Sequence, residues 1–523
     1  MTEKLSQSVE LSESGLQGLA KRSLVIRSRS RADYLLSGAG TVALLALSYY
    51  LLKHGWNLMD GARQPFFSLP VWLAVLAAFF FSSVFLPPRV KLVLVALCGA
   101  VTAGAYATDF LLGSVPLVSS STPAWSFDRT SPAARQEVAD LARSFGVEID
   151  TREQGERIQA YRSSGVDAVS GLMLADILTS DPTLQAWHLD DGREMLPLGG
   201  ISGAMTVLCN ETGQFVTYTS DEHGFRNPPG IWTSSRADLA AVGQSLTQGY
   251  CVRDGKGFVD LLRPQYPLTL NLGMSGQSSL LQLAAIKEYL PALRPQTVLW
   301  FYTEGIDLPD LSEESTYRFL MRYLEPGFSQ NLARRQSQID NAVRHFQRQQ
   351  MANFTQPRPA TGIFAFSQRS LDALKLWHLR YKVDLMFGSN GIDTRAWSAL
   401  DLFRETLAQA RLVTSRWGGT LYFVYLPNWT RYSNGARTPE REHAAVLKIV
   451  RALQVPVIDV EPAFGSHKDP LSLFPFRRFG HYNEAGNQIV AATILKSLSR
   501  ERGDNRVTTD GARLPVPSKS TNE

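Results

Sequence analysis

The chain has 523 residues, of which 44% are hydrophobic and 19% are charged, and its formal net charge is +5. This length fits two to four domains, or one large domain with appendages. The net charge is small for this length, and no run of Lys and Arg with interleaved aromatic residues occurs after the apolar N-terminal region. Both observations argue against a nucleic-acid partner.

Three apolar runs near the N-terminus are long enough to cross a bilayer. They cover Tyr34–Leu52, Phe66–Leu86 and Val90–Leu112, and a helix needs ~20 apolar residues to span the hydrocarbon core. In the third run only Lys91 and Asp109 are charged, and both lie near its ends. We therefore predict a cytoplasmic segment 1–33 and three uncleaved transmembrane helices within 34–113. A helix hairpin in a soluble core is the alternative, which such long uncharged runs disfavour.

The placement of Lys and Arg predicts the orientation of these helices. Six basic residues precede the first run, and the short turn between the second and third runs carries Arg89, with Lys91 just beyond it. The positive-inside rule places both segments in the cytoplasm. Three crossings then put everything after Leu112 on the other side. The predicted protein is a multi-pass protein of the cytoplasmic (inner) membrane, in contact with the lipid bilayer, whose large C-terminal domain is extracytoplasmic.

A lead-in region, 114–235, follows with short helices and one β-hairpin. The alternating stretches Ala204–Cys209 and Gln214–Tyr218 flank a turn and predict this hairpin. Outside the cytoplasm Cys209 and Cys251 could form a disulfide. The other interpretation is two buried free thiols, and the sequence leaves both open. No cysteine or histidine cluster has metal-ligand spacing, so neither a metal site nor a cofactor is predicted.

Strands and helices then alternate regularly, which predicts a parallel sheet covered on both faces. The helical insertion at about 311–395 includes Arg334, Arg335, Arg344 and Arg348, which favour a solvated helix face, with a polyanionic partner as the alternative. The polar tail 501–523 is predicted to be disordered. The five predicted strands are Leu239–Gly243, Leu268–Leu272, Thr297–Tyr302, Thr420–Tyr425 and Val455–Val460.

Polar and glycine-rich segments follow the strands at the edge where parallel sheets bind ligands. Ser245 lies in a turn after the first strand, and such a turn exposes a hydroxyl at the sheet edge. Gly276 follows the second strand, where its N–H could stabilise an oxyanion. His481 precedes the last helix. Taken singly, Ser245 could simply cap a helix, and His481 could be a packed residue.

Together these segments resemble the SGNH (GDSL) hydrolase superfamily, from about Asp221 to Leu498. The stretch Asp221–Pro228 is similar to the one that precedes the first motif in membrane-linked members. The resemblance implies a flavodoxin-like, three-layer α/β domain over 236–500 with a five-stranded parallel sheet. It also implies Ser245 as nucleophile, His481 as general base and Gly276 as oxyanion donor.

The motifs depart from the family pattern at three places. Gln244 replaces the aspartate of the GDS motif, and Ile306 replaces the asparagine of the third motif, although Glu304 and Asp307 remain beside it. The aspartate shortly before the histidine is also missing, and the nearest upstream acid is Asp469.

We expect the missing groups to be replaced from elsewhere in the chain. Asp469, Asp307 or a backbone carbonyl could orient the imidazole of His481. Gln244 could donate a hydrogen bond, and Glu304 could line the site.

The leading hypothesis is a membrane-anchored esterase or O-acyltransferase that acts on a cell-envelope glycan or lipid through a serine acyl intermediate. The resemblance implies an envelope polysaccharide and a multispan membrane protein as partners. The alternative is an inactive SGNH-fold binding or scaffold protein in envelope polysaccharide biosynthesis or export, suggested by the three departures. A transporter or channel is disfavoured, because three spans are few and Asp109 is their only acidic residue.

Overall fold

The structure, a computed structural model, describes residues 31–54, 69–114, 132–174, 177, 187–188, 194–355, 397–433, 438–478 and 480–501. Three predictions lie outside these residues: most of the cytoplasmic segment, the part of the insertion in 356–396, and nearly all of the C-terminal tail. The described residues form two compact units, one before Val115 and one after it.

The first unit consists of three helices in the region of the predicted spans: α1 Arg31–His54, α2 Leu69–Ser83 and α3 Pro88–Ser114. Among the described residues, one stretch, Pro88–Thr108, is long and apolar enough to cross a bilayer. Lys91 at its start is buried and forms an ion pair with Asp33 of α1, which neutralises the charge there. A buried core helix or a signal sequence would pass the same length test, so three crossings stay a prediction.

The second unit begins with the helices α4 Pro132–Ser144 and α5 Gln154–Ser163 and a small mixed sheet. Strand β1, Ala168–Ser170, pairs in parallel with β4, and β4 pairs antiparallel with β5, where the hairpin was predicted. A disulfide joins Cys209, just after β4, to Cys251. The remaining strands of this region are β2 Trp187–His188, β3 Glu194–Met195, β4 Met205–Val207 and β5 Thr217–Thr219.

The main sheet has five parallel strands, as predicted. Its spatial order is β7-β6-β8-β9-β10, which in chain order reads 2-1-3-4-5, the flavodoxin-like arrangement. In such a sheet the carboxyl ends of all strands share one edge, so the segments that follow them converge there. The strands are β6 Leu239–Val242, β7 Thr269–Asn271, β8 Thr297–Thr303, β9 Thr420–Leu426 and β10 Val457–Asp459.

Alternate side chains of these strands enter two separate apolar cores, one on each face of the sheet. On β6, for example, Ala240 and Val242 belong to one core, and Leu239 and Ala241 belong to the other. The sheet is therefore the middle layer of three. Its helices are α6 Ser245–Gln248, α7 Phe258–Leu262, α8 Ser279–Leu293, α9 Asp307–Glu314, α10 Arg318–Met321, α11 Gln336–Thr355, α12 Leu400–Ser415, α13 Thr430–Ser433, α14 Thr438–Ala452, α15 Glu461–Gly465 and α16 Glu484–Glu501.

The arginines of the insertion are partly used inside the fold. Arg344 on α11 binds Asp167 at 2.7 Å, and Arg335 donates to the carbonyl of Gln330 at 3.3 Å. The Arg344–Asp167 pair links the insertion to the rest of the unit, whereas the Arg335 contact lies within the insertion. They leave fewer cations for the polyanionic partner that the sequence allowed.

Candidate active site

Ser245 is held at the sheet edge by a tight turn between β6 and α6. A Cβ atom on Gly243 would lie 2.2 Å from Oγ1 of Thr247 and 2.8 Å from Cβ of Phe301, so only glycine allows the helix to start this close to the strand. Ser245 is the first residue of α6 and is half-buried. Its hydroxyl is therefore at the edge where ligands bind parallel sheets.

His481 is placed beside this serine by the loop that precedes α16. Asn483 holds that loop, because its side-chain oxygen accepts from the N–H groups of Ala485 and Gly486 at 3.1 and 3.2 Å. Its amide nitrogen donates to the carbonyl of Ser472 at 2.8 Å. In this position Nε2 of His481 is 2.8 Å from Oγ of Ser245. Two residues 236 positions apart in the chain thus form one hydrogen-bonded pair.

The other side of the imidazole binds the carboxylate of Glu211. Oε1 of Glu211 is 2.8 Å from Nδ1 of His481, and Oε2 accepts the backbone N–H of His481 at 2.9 Å. The Glu211 side chain is fully buried. An ionised carboxylate can only accept, so Nδ1 carries the proton and Nε2 is free to accept the Ser245 proton. Ser245, His481 and Glu211 therefore have the contacts of a serine–histidine–carboxylate triad.

Glu211 reaches the histidine because the turn of the β4–β5 hairpin is fixed by its neighbours. Asn210 donates to the carbonyl of Asp150 at 2.5 Å, and the N–H of Asp150 donates to the carbonyl of Gly213 at 2.7 Å. Gly213 has φ +110°, and a Cβ there would meet Val147 at 2.7 Å. These contacts hold the turn that carries the carboxylate.

Glu211 is not among the residues predicted from the sequence, although a Cys209–Cys251 disulfide would have indicated it. Cys209 lies two residues before Glu211, and Cys251 lies six residues after Ser245. A disulfide between them brings the hairpin turn next to the nucleophile. Without that bond, nothing in the sequence places the hairpin turn beside Ser245.

The expectation that Asp469 or Asp307 orients the imidazole is wrong. Asp469 forms an ion pair with Arg477. Asp307 is completely buried, where it accepts from the N–H of Thr303 at 2.5 Å and from the side chain of Gln282 at 3.1 Å. Both carboxylates hold local structure, and neither is a partner of His481.

Two backbone donors near Ser245 have no acceptor among the described residues. They are the N–H groups of Ser245 itself and of Gly276, which has φ +73°. The loop that carries Gly276 lies against the turn that precedes α6, because the N–H of Met274 donates to the carbonyl of Gly243 at 3.1 Å. The N–H of Ser275 donates to the side chain of Gln248 at 3.0 Å. Gly276 thus remains the candidate second oxyanion donor.

Glu304 is buried and binds Tyr425 on β9 and two residues that follow this strand. It accepts from Nε of Arg431 at 3.0 Å, from the hydroxyl of Tyr425 at 2.5 Å and from the N–H of Asn428 at 3.1 Å. Its role in the described structure is to anchor the segment after β9. Ile306, which stands where the family has asparagine, precedes α9 and offers no polar side chain.

Gln244 occupies the position at which the GDS motif has aspartate, and its side chain contacts a carboxylate on another element. Its amide donates to Oδ2 of Asp310 on α9 at 3.2 Å. Burial raises the pKa of Asp310 to about 6, and the hydrogen bond from Gln244 opposes this rise. Burial also raises the pKa of Asp307 and of Glu314 well above their ordinary values. A neutral residue at 244 avoids one more carboxylate beside this group.

The segment Asp221–Pro228, which precedes the first motif, holds two elements of the site in place. Asp221 accepts from the N–H groups of His223 and Phe225 and from the side chains of Asn227 and Trp232, at 2.8 to 2.9 Å. Asn227 in turn bonds both backbone groups of Asn271 on β7. The next residue back, Arg226, donates to the carbonyl of Gly249 at 2.6 Å, just after α6. The segment therefore fixes β7 and the helix that begins with Ser245.

One group of potential metal ligands occurs among the described residues, formed by Cys209, Glu211 and Cys251, with donor atoms within 4.8 Å of one another. The two sulfurs are joined in the disulfide, and Glu211 binds His481. This group therefore has no free ligand set for a metal.

Comparisons with known proteins give structural similarity only. No protein-family model and no curated protein matches the sequence. Among solved structures, a two-domain esterase active on acetylated mannans has 12% sequence identity and a TM-score of 0.27, over 55% of this chain and 55% of that one. The chain thus spans about half the length of that esterase.

Two further matches cover nearly all of the other chain. A lipase/acylhydrolase from Enterococcus faecalis has 12% identity and a TM-score of 0.28, over 50% of this chain and 96% of that chain. A variant acetyl-xylooligosaccharide esterase from Geobacillus Stearmophilus has 16% identity and a TM-score of 0.28, over 51% and 95%. The α/β assignment of this chain stands on its own strand order.

Proposed function

We propose that the protein is a membrane-anchored, SGNH-like serine esterase or O-acyltransferase whose substrate is an acylated glycan or lipid of the cell envelope. The observation that carries this proposal is the unbroken set of contacts from Oγ of Ser245 through His481 to Glu211. Capping or packing alone does not require a buried carboxylate on the far side of the imidazole.

The chemistry follows from the position of each proton. Nε2 of His481 takes the hydroxyl proton of Ser245 while Oγ attacks the ester carbonyl, and the developing charge on the imidazole is stabilised by Glu211. The tetrahedral intermediate collapses when His481 gives this proton to the leaving alkoxide, and an acyl-serine remains. Water or an acceptor hydroxyl then gives its proton to His481 and attacks the acyl group, which releases Ser245. Water yields an acid, and an acceptor hydroxyl yields a new ester.

The N–H groups of Ser245 and Gly276 are the proposed donors to the oxyanion. The family has a third donor, the asparagine side chain, and Ile306 does not replace it. Loss of one such donor costs roughly 10²–10³ in rate. We therefore expect a slower enzyme than members of the family with the full motif.

The location of the substrate is a proposal based on the membrane segment and the disulfide. Disulfides persist in oxidising compartments such as the periplasm, and a Cys209–Cys251 bond suits the extracytoplasmic side predicted from the basic residues. An envelope polysaccharide and a multispan membrane protein are the proposed partners, and they rest on the family resemblance of the sequence.

The test is hydrolysis of a chromogenic acetyl ester by the full chain purified in detergent. Ser245→Ala should reduce the rate to the uncatalysed background. Ser466→Ala should leave it unchanged, because this serine is exposed and bonds its own helix. Equal activity of wild type and Ser245→Ala would refute the assignment.

A second candidate function is an inactive scaffold protein that retains the cleft for binding. The observation that favours it is the apolar Ile306 in place of the third donor. A fluorophosphonate probe separates the two candidates. Covalent labelling that requires Ser245 shows a reactive nucleophile, whereas a chain that neither labels nor hydrolyses the ester would be a scaffold.

A further inference from the structure

A cleft of about 610 Å³ lies among segments that neighbour the triad residues in the chain. It is formed by three short segments: 212–217 from the hairpin, 251–254 after α6, and 483–485 at the start of α16. Its volume lies within the range of about 300–1,000 Å³ that is usual for ligand sites. Two of its lining residues, Asn483 and Cys251, support the site described above, whereas Ser245, His481 and Glu211 do not line the cleft.

Each wall of this cleft is continuous with a residue of the candidate triad or with a group that contacts it. Thr212 follows Glu211 directly, and Asn483 lies two residues after His481. Cys251 follows Tyr250, whose ring centroid is 4.9 Å from that of His481. The walls of the cleft thus belong to the same segments that hold Glu211 and His481.

The lining indicates a neutral, hydroxyl-rich ligand. The one cationic residue in it, Arg253, is matched by Glu484, with Nε and Oε1 2.5 Å apart, and the negative charge of Asp254 is paired with Arg226 at 3.3 Å. A polyanion would need uncompensated cations. The hydroxyls of Thr212 and Thr217 can exchange hydrogen bonds with sugar hydroxyls, and the half-buried ring of Phe215 offers an apolar surface.

We infer that this cleft is a subsite for a neutral glycan chain, and that it positions an O-acyl group of that chain at Ser245. The inference rests on the proposed function and names the class of substrate. Small esters would react without the cleft, whereas acylated oligosaccharides would use it.

The kinetic experiment compares a chromogenic acetyl ester with partly acetylated mannose, xylose and glucose hexamers, using the full chain in detergent. Thr217→Trp fills the cleft and should raise the KM for hexamers at least about tenfold, while kcat/KM for the small ester stays within about twofold. Thr219→Trp is the control, because this residue lies exposed on the same strand and outside the cleft. Equal KM values for hexamers in Thr217→Trp and wild type would overturn the inference.

A binding experiment keeps the inference separate from catalysis. The Ser245→Ala chain is titrated with the same hexamers by calorimetry, and Thr217→Trp in that background should abolish the heat of binding. If Thr217→Trp gives no cooperative unfolding transition, Arg253→Ala replaces it, with Arg404→Ala as the exposed control. The absence of saturable binding by any hexamer would overturn the subsite, and a wild type that fails on the small ester would overturn the proposed function instead.

Discussion

The charge of a single buried residue, Glu211, decides how the imidazole of His481 is used. Its two carboxylate oxygens hold both the ring and the backbone of the histidine. A neutral amide at this position would permit the wrong tautomer, with the proton on Nε2 facing Ser245. Loss of the triad carboxylate costs roughly 10⁴ in rate in serine hydrolases.

We therefore expect Glu211→Gln to lower kcat for a small ester by about 10³- to 10⁴-fold without loss of folding. Asp469→Asn is the control, because this acid pairs with Arg477 and not with the histidine. Its kcat should stay within about twofold of wild type. A larger loss in Asp469→Asn than in Glu211→Gln would show that the orienting group is misassigned.

Asp310 gives the site a defined pH dependence of stability. Its pKa of about 6 in the folded chain lies above the ordinary value of 3.8. The stability linked to its protonated form is complete below pH ~4 and is lost as the pH rises through about 6, an effect of up to about 3 kcal/mol. Besides burial, the hydrogen bond from Gln244 lowers this pKa and the charge of Glu313 raises it.

The wild type should therefore lose this stability as the pH rises from 4 to 7, and Asp310→Asn should not. The free energy of unfolding of Asp310→Asn relative to wild type should increase over this range. The asparagine oxygen can still accept from Gln244. Urea unfolding at pH 4.5 and 7.5 measures the difference, with the exposed Asp401→Asn as control. Parallel stability curves for Asp310→Asn and wild type would contradict the raised pKa.

At the residue scale, Ser245 and His481 could be predicted because parallel strands bring their following segments to one edge. Glu211 could not be predicted in this way, because it lies outside the main sheet and 270 positions from its partner. Gln244 donates to Asp310, a partner that has no signal in the sequence, so its predicted role as a donor within the site stays a prediction. Side-chain pairs of this kind depend on how elements pack.

At the scale of elements, the Cys209–Cys251 disulfide fastens the hairpin to the segment after α6. The bond joins residues 42 positions apart, for which the restriction of the unfolded chain contributes about 4 kcal/mol in the loop-entropy description. It also limits how far Glu211 can move from the histidine. Stability and the proposed catalysis would thus depend on the same bond.

We expect the Cys209→Ser, Cys251→Ser double variant to lose about 4 kcal/mol of unfolding free energy and to have a lower kcat. Denaturant unfolding and ester hydrolysis measure the two effects. Cys98→Ser is the matched control, since this cysteine is free and belongs to α3. Identical stability and kcat in the double variant and this control would show that the disulfide has neither role.

The elements of the main sheet were the most predictable part of the fold. Each strand was marked by an apolar run of five or six residues, and the structure shortens the second and fifth strands to three residues. These two are the edge strands of the sheet, so each has a neighbouring strand on one side only. The hairpin strands were predicted longer than they are, since loop residues beside the disulfide also alternate.

At the scale of the whole molecule, the predicted topology places the N-terminus and the catalytic unit on opposite sides of a membrane. The test uses single cysteines in a Cys98→Ser background, expressed in a bacterial host. An impermeant maleimide should label Thr122→Cys and Asp60→Cys in spheroplasts. Ser30→Cys should react only after lysis, and labelling of Ser30→Cys in intact spheroplasts would reverse the orientation.

The hairpin that carries Glu211 belongs to a three-stranded sheet separate from the five-stranded one. Proteins open locally, in cooperative pieces, at free energies below that of global unfolding. If the hairpin is such a piece, heating would detach the carboxylate while the main sheet is still intact. Activity would then disappear at a lower temperature than the circular dichroism of the sheet, and a fragment that begins at the sheet would fold without its orienting acid.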